Sequence, residues 1–466
     1  MNCLRHATNA RLRARAIVIA CGLLLGAGAA SAQNQDYFDA MEVRIANVAA
    51  SPRDAKTAYV RFDIAWDDSW RHEANHDAAW VFFKVRATGA ADWQHARLAA
   101  DKVLNPAGYG QAEGGTPLDF IVPDGDDGFL GVFVRRSSEG KGELAARNVT
   151  AVWDLTASKG IAKDTLEKAE VRAFGVIVVY VAEGPFHLGS GGAELDGFYQ
   201  YTDGSQASLP YKVTGPGAIP TGRQQGRLWV RMREGDMPED GGEIPAAFPN
   251  GYGAFYCMRH HLTNPQYAAF VNTLSPEQAE KRVHEGMERS GTAPNYVYSA
   301  KSRSKGNAGR GDSRSGYRGY SWADGAAWAA WAGLRPMSEL EYEKTVRGPR
   351  TPQPDESGPS FWNVDGFHAF DWHCYHPFNQ CDRPVTVGNA KGRGFRGTHG
   401  RGTPDLPADW PQDDAVGAGF RGGGSHTDRS LQCCRVSDRR YASLVDPERS
   451  NHKWRGARTA PKGVGN

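Results

Sequence analysis

The chain has 466 residues, and its 55 Lys and Arg against 53 Asp and Glu give a formal net charge of only +2. This balance lacks the excess of basic residues that marks most nucleic-acid-binding domains, so no nucleic acid partner is expected. Hydrophobic residues make up 40% of the chain, and its length suits two or three domains.

Residues 1–32 have the pattern of an export signal. The segment starts with several arginines, continues with an apolar run from residue 17 to 30, and ends in Ala30-Ser31-Ala32, a small-residue cleavage site. The run is shorter than the ~20 residues that a membrane helix needs. We therefore expect a mature chain that begins at Gln33, is periplasmic or secreted, and does not insert into a membrane.

Five cysteines follow this segment: Cys257, Cys374, Cys381, Cys433 and Cys434. In an oxidising compartment they are sufficient for two disulfides. The odd number leaves at least one thiol over, which is free, reactive, metal-bound or paired with another chain.

Residues 33–175 have the periodicity of an all-β domain. Apolar and polar side chains alternate from residue 60 to 66, as in a strand with one buried face. Residues 81–86 alternate in the same way, which puts Lys84 on the polar face. Further candidate strands are 130–134, 148–155 and 171–181. The pattern predicts a β-sandwich with an accessory role.

The second part of the chain carries three predicted helices. Asn264 followed by Pro265 is a favourable helix start. The other two starts resemble capping boxes, in which a serine is followed three residues later by an acid: Ser321 with Asp324, and Ser338 with Glu341. Gly333 and Gly348 are the expected helix stops.

Five motifs then follow one another in a fixed order. They are V-V-Y-V with G-P-F and L-G-S (178–190), F-Y with L-T-N-P-Q-Y (255–267), S-W-A-D-G-A (321–326), R-P-M-S-E-L-E-Y-E (335–343) and G-F-R-G-G-G-S (419–425). Their order and spacing resemble the sulfatase-modifying-factor, or formylglycine-generating-enzyme, family. The resemblance implies a C-type-lectin-like domain over residues 176–466. The expected fold class is mainly β with α+β, an N-terminal β-sandwich followed by this domain.

The resemblance also implies a copper site. In copper-dependent members of that family, two cysteines after the Gly-Gly-Ser motif bind Cu(I), and soft thiolates select that ion. The second family cysteine falls on Cys433, but the first falls on Asp428, a poor Cu(I) ligand. Cys434 is the substitute, so Cys433 and Cys434 are the predicted catalytic and copper-binding residues. The alternatives are a structural disulfide from one of them to Cys257, or a vicinal disulfide.

A second candidate metal site is His373, Cys374 and His376, which place soft and borderline donors within four residues. The alternative is a Cys374–Cys381 disulfide beside two surface histidines. Calcium is the other candidate cofactor by resemblance. Its ligands do not transfer, because the Gly-Asn-x-Trp-Glu landmark of the family is replaced by F-N-Q-C-D at 378–382.

Two further patterns contain residue types that can carry chemistry. The run from His72 to His76 matches H-E-x-x-H, the zinc-binding pattern of metalloproteases. Strand-like segments flank it closely, so a loop is expected instead of a zinc-binding helix. In the Gly-rich motif, Ser425 and Arg421 are the predicted substrate-binding residues, and no serine hydrolase elbow or triad order is present.

Two functions are compatible with these patterns. In the favoured one, the chain binds a secreted protein, peptide or glycan without catalysis, because the first copper cysteine and the Gly-Asn-x-Trp-Glu landmark are both altered. In the other, it is a copper-dependent oxidase that converts peptidyl cysteine to formylglycine during sulfatase maturation.

Overall fold

The computed structural model describes residues 43–99, 115–123, 129–202, 209–231, 241–284, 286–292, 296–300, 320–356, 358–365, 383–421, 435–442 and 453–465. Over these residues the chain is mainly β, with several antiparallel sheets and four α-helices. The predicted mainly β class is confirmed at this level. No helix in these ranges is long and apolar enough to cross a bilayer. The predicted export signal lies outside them.

One sheet has three antiparallel strands in the order β1-β2-β7. They are β1 (Arg44–Pro52), β2 (Thr57–Arg71) and β7 (Gly140–Asp154). The alternation predicted for residues 60–66 is confirmed, since Val60 and Phe62 are fully buried and Arg61 between them is exposed. Period-two burial of this kind gives the sheet one apolar face.

The larger sheet has eight antiparallel strands. Its order is β18-β21-β15-β8-β3-β6-β5, with β4 also paired to β3. The strands are β3 (Asp77–Arg86), β4 (Gln94–Ala96), β5 (Leu118–Ile121), β6 (Val132–Arg136), β8 (Glu170–Val181), β15 (Phe255–Met258), β18 (Arg335–Pro336) and β21 (Gly456–Thr459). β8 crosses the predicted domain boundary at residues 175 and 176. It pairs with β3 on one side and β15 on the other.

Both faces of this larger sheet are covered. On one face, Val81 and Phe83 pack with the apolar face of the three-stranded sheet. On the other, Trp80 and Phe82 pack with helices from the second half of the chain. The polar face predicted for residues 81–86 is therefore wrong, because Lys84 is also buried, at 1% exposure.

Five short two-stranded antiparallel ladders occupy the second half. They are β9 (Phe186–Leu188) with β11 (Tyr211–Val213), β10 (Gly197–Gln200) with β13 (Leu228–Arg231), β12 (Ile219–Pro220) with β14 (Glu243–Ile244), β16 (Met287–Ser290) with β17 (Val297–Ala300), and β19 (Arg383–Thr386) with β20 (Ala418–Arg421).

The four helices begin with capping boxes. They are α1 (Asn264–Val271), α2 (Pro276–Arg282), α3 (Trp322–Trp331) and α4 (Glu339–Arg347). The boxes predicted for α3 and α4 are confirmed. The cap of α1 is Thr263, one residue before the predicted Asn264, because Thr263 and Gln266 bond each other's backbone amides. α2 was not predicted, although Ser275 caps it in the same way.

Side chains from remote strands cap the C-terminal end of α3. Lys84 donates to the carbonyl oxygens of Trp331 (2.8 Å) and Gly402 (2.6 Å), and Trp80 Nε1 donates to Ala332 (2.7 Å). Arg458 donates to the Gly333 carbonyl. The last carbonyls of a helix lack partners within the helix and attract cations. These contacts attach the second half of the chain to the eight-stranded sheet.

Candidate functional site

Arg421 is the one predicted site residue that the structure describes. The remaining ones, Cys433, Cys434, His373, Cys374, His376 and Ser425, lie outside the described residues, as does the Cys374–Cys381 pair. The structure does describe residues next to these segments, namely 383–421 and 435–442.

The two segments that carry the predicted donors connect to the same end of one ladder. β19 begins at Arg383 and β20 ends at Arg421, and these two residues are cross-strand partners. Residues 366–382, with His373, lead into β19, and residues 422–434, with Cys433, leave β20. Antiparallel register thus brings together two attachment points that are 38 positions apart in the sequence (421 − 383).

Arg421 is fully buried, and its guanidinium donates only to protein oxygens. Nε donates to the Asp438 carbonyl (2.9 Å), and Nη1 donates to the Glu339 carbonyl (3.1 Å) and carboxylate (3.4 Å). Nη2 donates to the Glu343 carboxylate (2.6 Å) and the Val436 carbonyl (3.0 Å). A guanidinium has five N–H donors, and all five have acceptors here. The role of Arg421 in substrate binding stays a prediction.

Two further arginines complete this network. Arg439 donates to both carboxylate oxygens of Glu339 (3.0 and 3.1 Å), and Arg347 donates to Glu343 (2.9 Å). Glu339 and Glu343 lie one turn apart on α4, and both are 0% exposed. Arg347 also donates to Glu356 (2.6 Å). These six residues carry three positive and three negative charges, which is how a buried ionic cluster avoids an uncompensated charge.

The network shifts the ionisation of its members. Burial acts to raise the pKa of Glu343, but Arg421 and Arg347 outweigh it and hold that pKa below the ordinary 4.5. Burial acts to lower the pKa of Arg421, but Glu343 and Glu339 outweigh it and raise that pKa. At neutral pH both groups are therefore charged. Their ion pair joins α4 to the last residue of β20.

The far side of the cysteine segment is also anchored by charge. Arg435, the first described residue after Cys434, has its Nε 3.3 Å from Asp355 Oδ1. The next amide, Val436 N, donates to the Glu356 carbonyl at 2.9 Å. The chain therefore re-enters the fold beside the acid that binds Arg347.

Cys257 is a free, buried thiol on β15. The disulfide to Cys257 that was considered for Cys433 or Cys434 is therefore not formed in this structure. Burial raises the pKa of the Cys257 thiol to about 12. A thiol is reactive as its thiolate, so this environment is the opposite of an activating one.

The H-E-x-x-H pattern lies in the connection between β2 and β3, as predicted. His76 is buried, and its Nε2 is 2.9 Å from the Tyr256 hydroxyl, whereas His72 is exposed. The two histidines therefore do not share a helix face. Among the described residues, no group of three or more His, Cys, Asp or Glu is arranged to hold a metal ion.

A shallow cleft of about 430 Å³ lies between α2 and the loop 404–414. Three of its charged groups, Lys281, Arg282 and Asp413, pair with one another. Asp413 binds Lys281 (2.7 Å) and Arg282 (3.4 Å), and Arg282 also faces the capping residue Asp324 of α3 (3.5 Å). None of the predicted site residues lines this cleft.

Sequence reasoning missed the acids of the site. In the sequence, Glu339 and Glu343 stand out only as part of the motif at 335–343, which predicts no partner for either. Their spacing of four with Arg347 at the next such position was the available signal, because residues four apart share a helix face. The sequence gives no sign that this face is buried, because the helix contains so many charged residues.

Comparisons of the chain with models of protein families, with curated proteins and with solved structures found no match.

Proposed function

We propose that this chain is an exported protein, similar to formylglycine-generating enzymes, that binds a secreted protein, peptide or glycan without catalysing oxidation. The observation that carries the proposal is that Arg421 is fully buried and donates its hydrogen bonds within the protein. All five of its donors bind Glu339, Glu343 and backbone carbonyls. Arg421, a motif residue on which the resemblance rests, therefore stabilises the fold instead of facing a ligand. This favours a function in which the segments attached to the β19–β20 ladder bind the ligand.

The proposed architecture is a β-sandwich over residues 33–175 and a C-type-lectin-like domain over 176–466. In support of the first, two antiparallel sheets share an apolar layer. In support of the second, the motif at 335–343 forms a capped helix. Export after cleavage behind Ala32 is part of the same proposal and rests on the sequence of residues 1–32.

A copper-dependent oxidase is the second candidate function. It is favoured by the register of β19 and β20, because the pairing of Arg383 with Arg421 attaches both donor-bearing segments to one ladder end. Under this alternative, Cys433 and Cys434 would hold Cu(I). A peptidyl cysteine and two molecules of an external thiol would together reduce one dioxygen, giving formylglycine, hydrogen sulfide, a disulfide of the external thiol and water.

The experiment is a turnover assay coupled to a binding assay. The exported form of the protein, loaded with Cu(I), is incubated in air with a Cys-x-Pro-x-Arg peptide and an excess of a small-molecule thiol, and aldehyde is measured by mass spectrometry. The same protein is tested on immobilised glycans and on the matching Ser-x-Pro-x-Arg peptide, which cannot be oxidised. Cys433→Ser and Cys434→Ser are the paired variants.

The binding proposal expects no aldehyde, together with saturable binding to a glycan or to the serine peptide that both serine variants retain. Aldehyde that disappears in Cys433→Ser would instead establish the oxidase. Absence of binding to either kind of probe would remove the support for a role in peptide or glycan recognition.

A further inference from the structure

Asp77, the first residue of β3, is a fully buried carboxylate outside the site described above. Its Oδ1 accepts from Ser69 Oγ and Trp70 N, both at 3.0 Å, and its Oδ2 accepts from Trp66 Nε1 at 2.8 Å. These donors are neutral. The cation that faces Asp77 is Arg259, whose Nη1 lies 3.9 Å from Oδ2, beyond hydrogen-bond distance.

Arg259 is shared between two acids. It follows β15 directly, stacks on the Trp70 ring at 4.8 Å, and has its Nε 3.3 Å from Asp365 Oδ2. That Nε is buried and has no aligned hydrogen-bond acceptor. The guanidinium therefore sits between Asp77 and Asp365 without a well-formed bond to either carboxylate.

Among the described residues, His260 and Arg455 are two further charged or titratable groups near this pair. His260 Nδ1 lies 3.1 Å from Asp365 Oδ2, but the two are not aligned for a hydrogen bond. Burial, with Arg259 and Arg455, lowers the pKa of His260 well below 6.5, so this imidazole is neutral. Arg455 donates to backbone carbonyls, including that of Asp365.

We propose that Asp77 and Asp365 compete for Arg259, and that protonation of Asp77 in mildly acidic medium releases the guanidinium to Asp365. The exchange joins two parts of the chain far apart in sequence. With Asp77 charged, Arg259 is held toward the start of β3. With Asp77 neutral, it pairs with the segment 358–365.

The pKa of Asp77 lies in the mildly acidic range in which the proposed exchange takes place. Burial raises its pKa to about 6, against an ordinary value of 3.8. The hydrogen bonds from Trp66, Trp70 and Ser69 and the charge of Arg259 only partly offset this. The folded state therefore binds the proton more tightly than the unfolded chain. Ionised Asp77 destabilises the fold above pH 6, and this penalty disappears as the pH falls from 6 toward 3.8.

The indole N–H resonances of Trp66 and Trp70 report the exchange. Trp66 donates to Asp77, and Trp70 stacks on Arg259. In the full exported chain, followed by NMR from pH 4.5 to 8 and assigned with Trp66→Phe and Trp70→Phe, both signals should shift with a common midpoint near 6. Asp77→Asn should abolish the shift. A shift that is missing, or that persists in Asp77→Asn, would overturn the proposal.

Asp365→Asn tests the competition itself and leaves the buried carboxyl of Asp77 in place. Without Asp365, Asp77 is the carboxylate that faces Arg259, whose Nη1 also donates to the Asp68 carbonyl (3.2 Å). A closer opposite charge lowers a carboxyl pKa. The Trp66 midpoint should fall by about half a pH unit or more. The control is Asp67→Asn, which breaks an exposed pair with Arg44 (2.9 Å) and should leave the midpoint unchanged. A midpoint that Asp365→Asn leaves unmoved, or that Asp67→Asn moves equally, refutes the sharing of Arg259.

Discussion

Replacing Arg421 by methionine removes the central cation of the buried network while keeping a side chain of similar length. Glu339 and Glu343 lose one partner each, and the five hydrogen bonds of Arg421 are lost. Removal of one partner of a buried ion pair costs about 3–5 kcal/mol. Since Arg439 and Arg347 still neutralise the two acids, we expect the lower end, about 3 kcal/mol. That is a large share of the 5–15 kcal/mol typical of folded proteins.

Arg421→Lys is the matched control because it keeps the charge. An ammonium has three donors and no planar fork, so it cannot serve both carboxylates and all three carbonyls. We expect a loss of about 1–2 kcal/mol, from the unsatisfied acceptors alone. The difference between the two variants separates the role of the charge from that of the hydrogen bonds.

The assay is urea unfolding followed by circular dichroism, with the midpoint and slope compared across variants. A double-mutant cycle with Glu343→Gln should return a coupling of about 1–3 kcal/mol, because the two side chains are in direct contact. A loss below about 1 kcal/mol in Arg421→Met, or a coupling near zero, would refute the view that this network supports the ladder.

The same comparison has a defined pH dependence. The folded pKa of Glu343 lies below 4.5 because its two arginines outweigh the effect of burial. A depressed carboxyl pKa contributes stability above the unfolded pKa and loses it as the pH falls through the folded pKa. The difference in the free energy of unfolding between the wild-type protein and Arg421→Met should therefore be largest at pH 7 and become smaller below pH 4.5.

Three further experiments test the core. Lys84→Met leaves two carbonyls without a donor and should lower stability by about 2 kcal/mol in urea unfolding; an unchanged midpoint would count against the α3 cap. Gly325→Ala puts a Cβ 2.2 Å from the buried Trp454 ring and should cost about 1–3 kcal/mol despite the better helix propensity of alanine. Gly253→Ala is the control and should leave stability unchanged, because a Cβ at that position has no atom within 4 Å. Cys257 should resist iodoacetamide at pH 8 until urea unfolds the chain, as read from peptide masses; labelling of the native protein would contradict its burial.

Helix starts were predictable because capping is a local interaction. The boxes of α3 and α4 lie where serine precedes an acid by three residues. A capping box also forms with threonine in place of serine and glutamine in place of the acid, which explains both errors. The cap of α1 moved to Thr263, because a proline is tolerated at either of the first two helical positions, and α2 was overlooked although Ser275 and Gln278 obey the rule.

The environment of Arg421 was not predictable in the same way. It follows Gly419 and Phe420 in a glycine-rich stretch, a context that suggests an exposed loop. Its burial depends on Glu339, which lies 82 positions earlier. Local patterns carry no information about such a partner, so a charged residue that completes a buried network reads as a surface residue. The same holds for the cluster around Asp77 and Arg259.

β3 shows why a strand pattern can identify the element and misjudge its surroundings. The alternation of Val81, Phe83 and Val85 with other residues predicted one apolar face and put Lys84 in solvent. The second half of the chain covers that other face, and Lys84 finds acceptors on α3 and the loop at Gly402. A lysine can be buried only if its donors are satisfied. Because those acceptors lie beyond residue 176, the N-terminal strand depends on the later sequence, and the two predicted domains are joined through the strand that crosses their boundary.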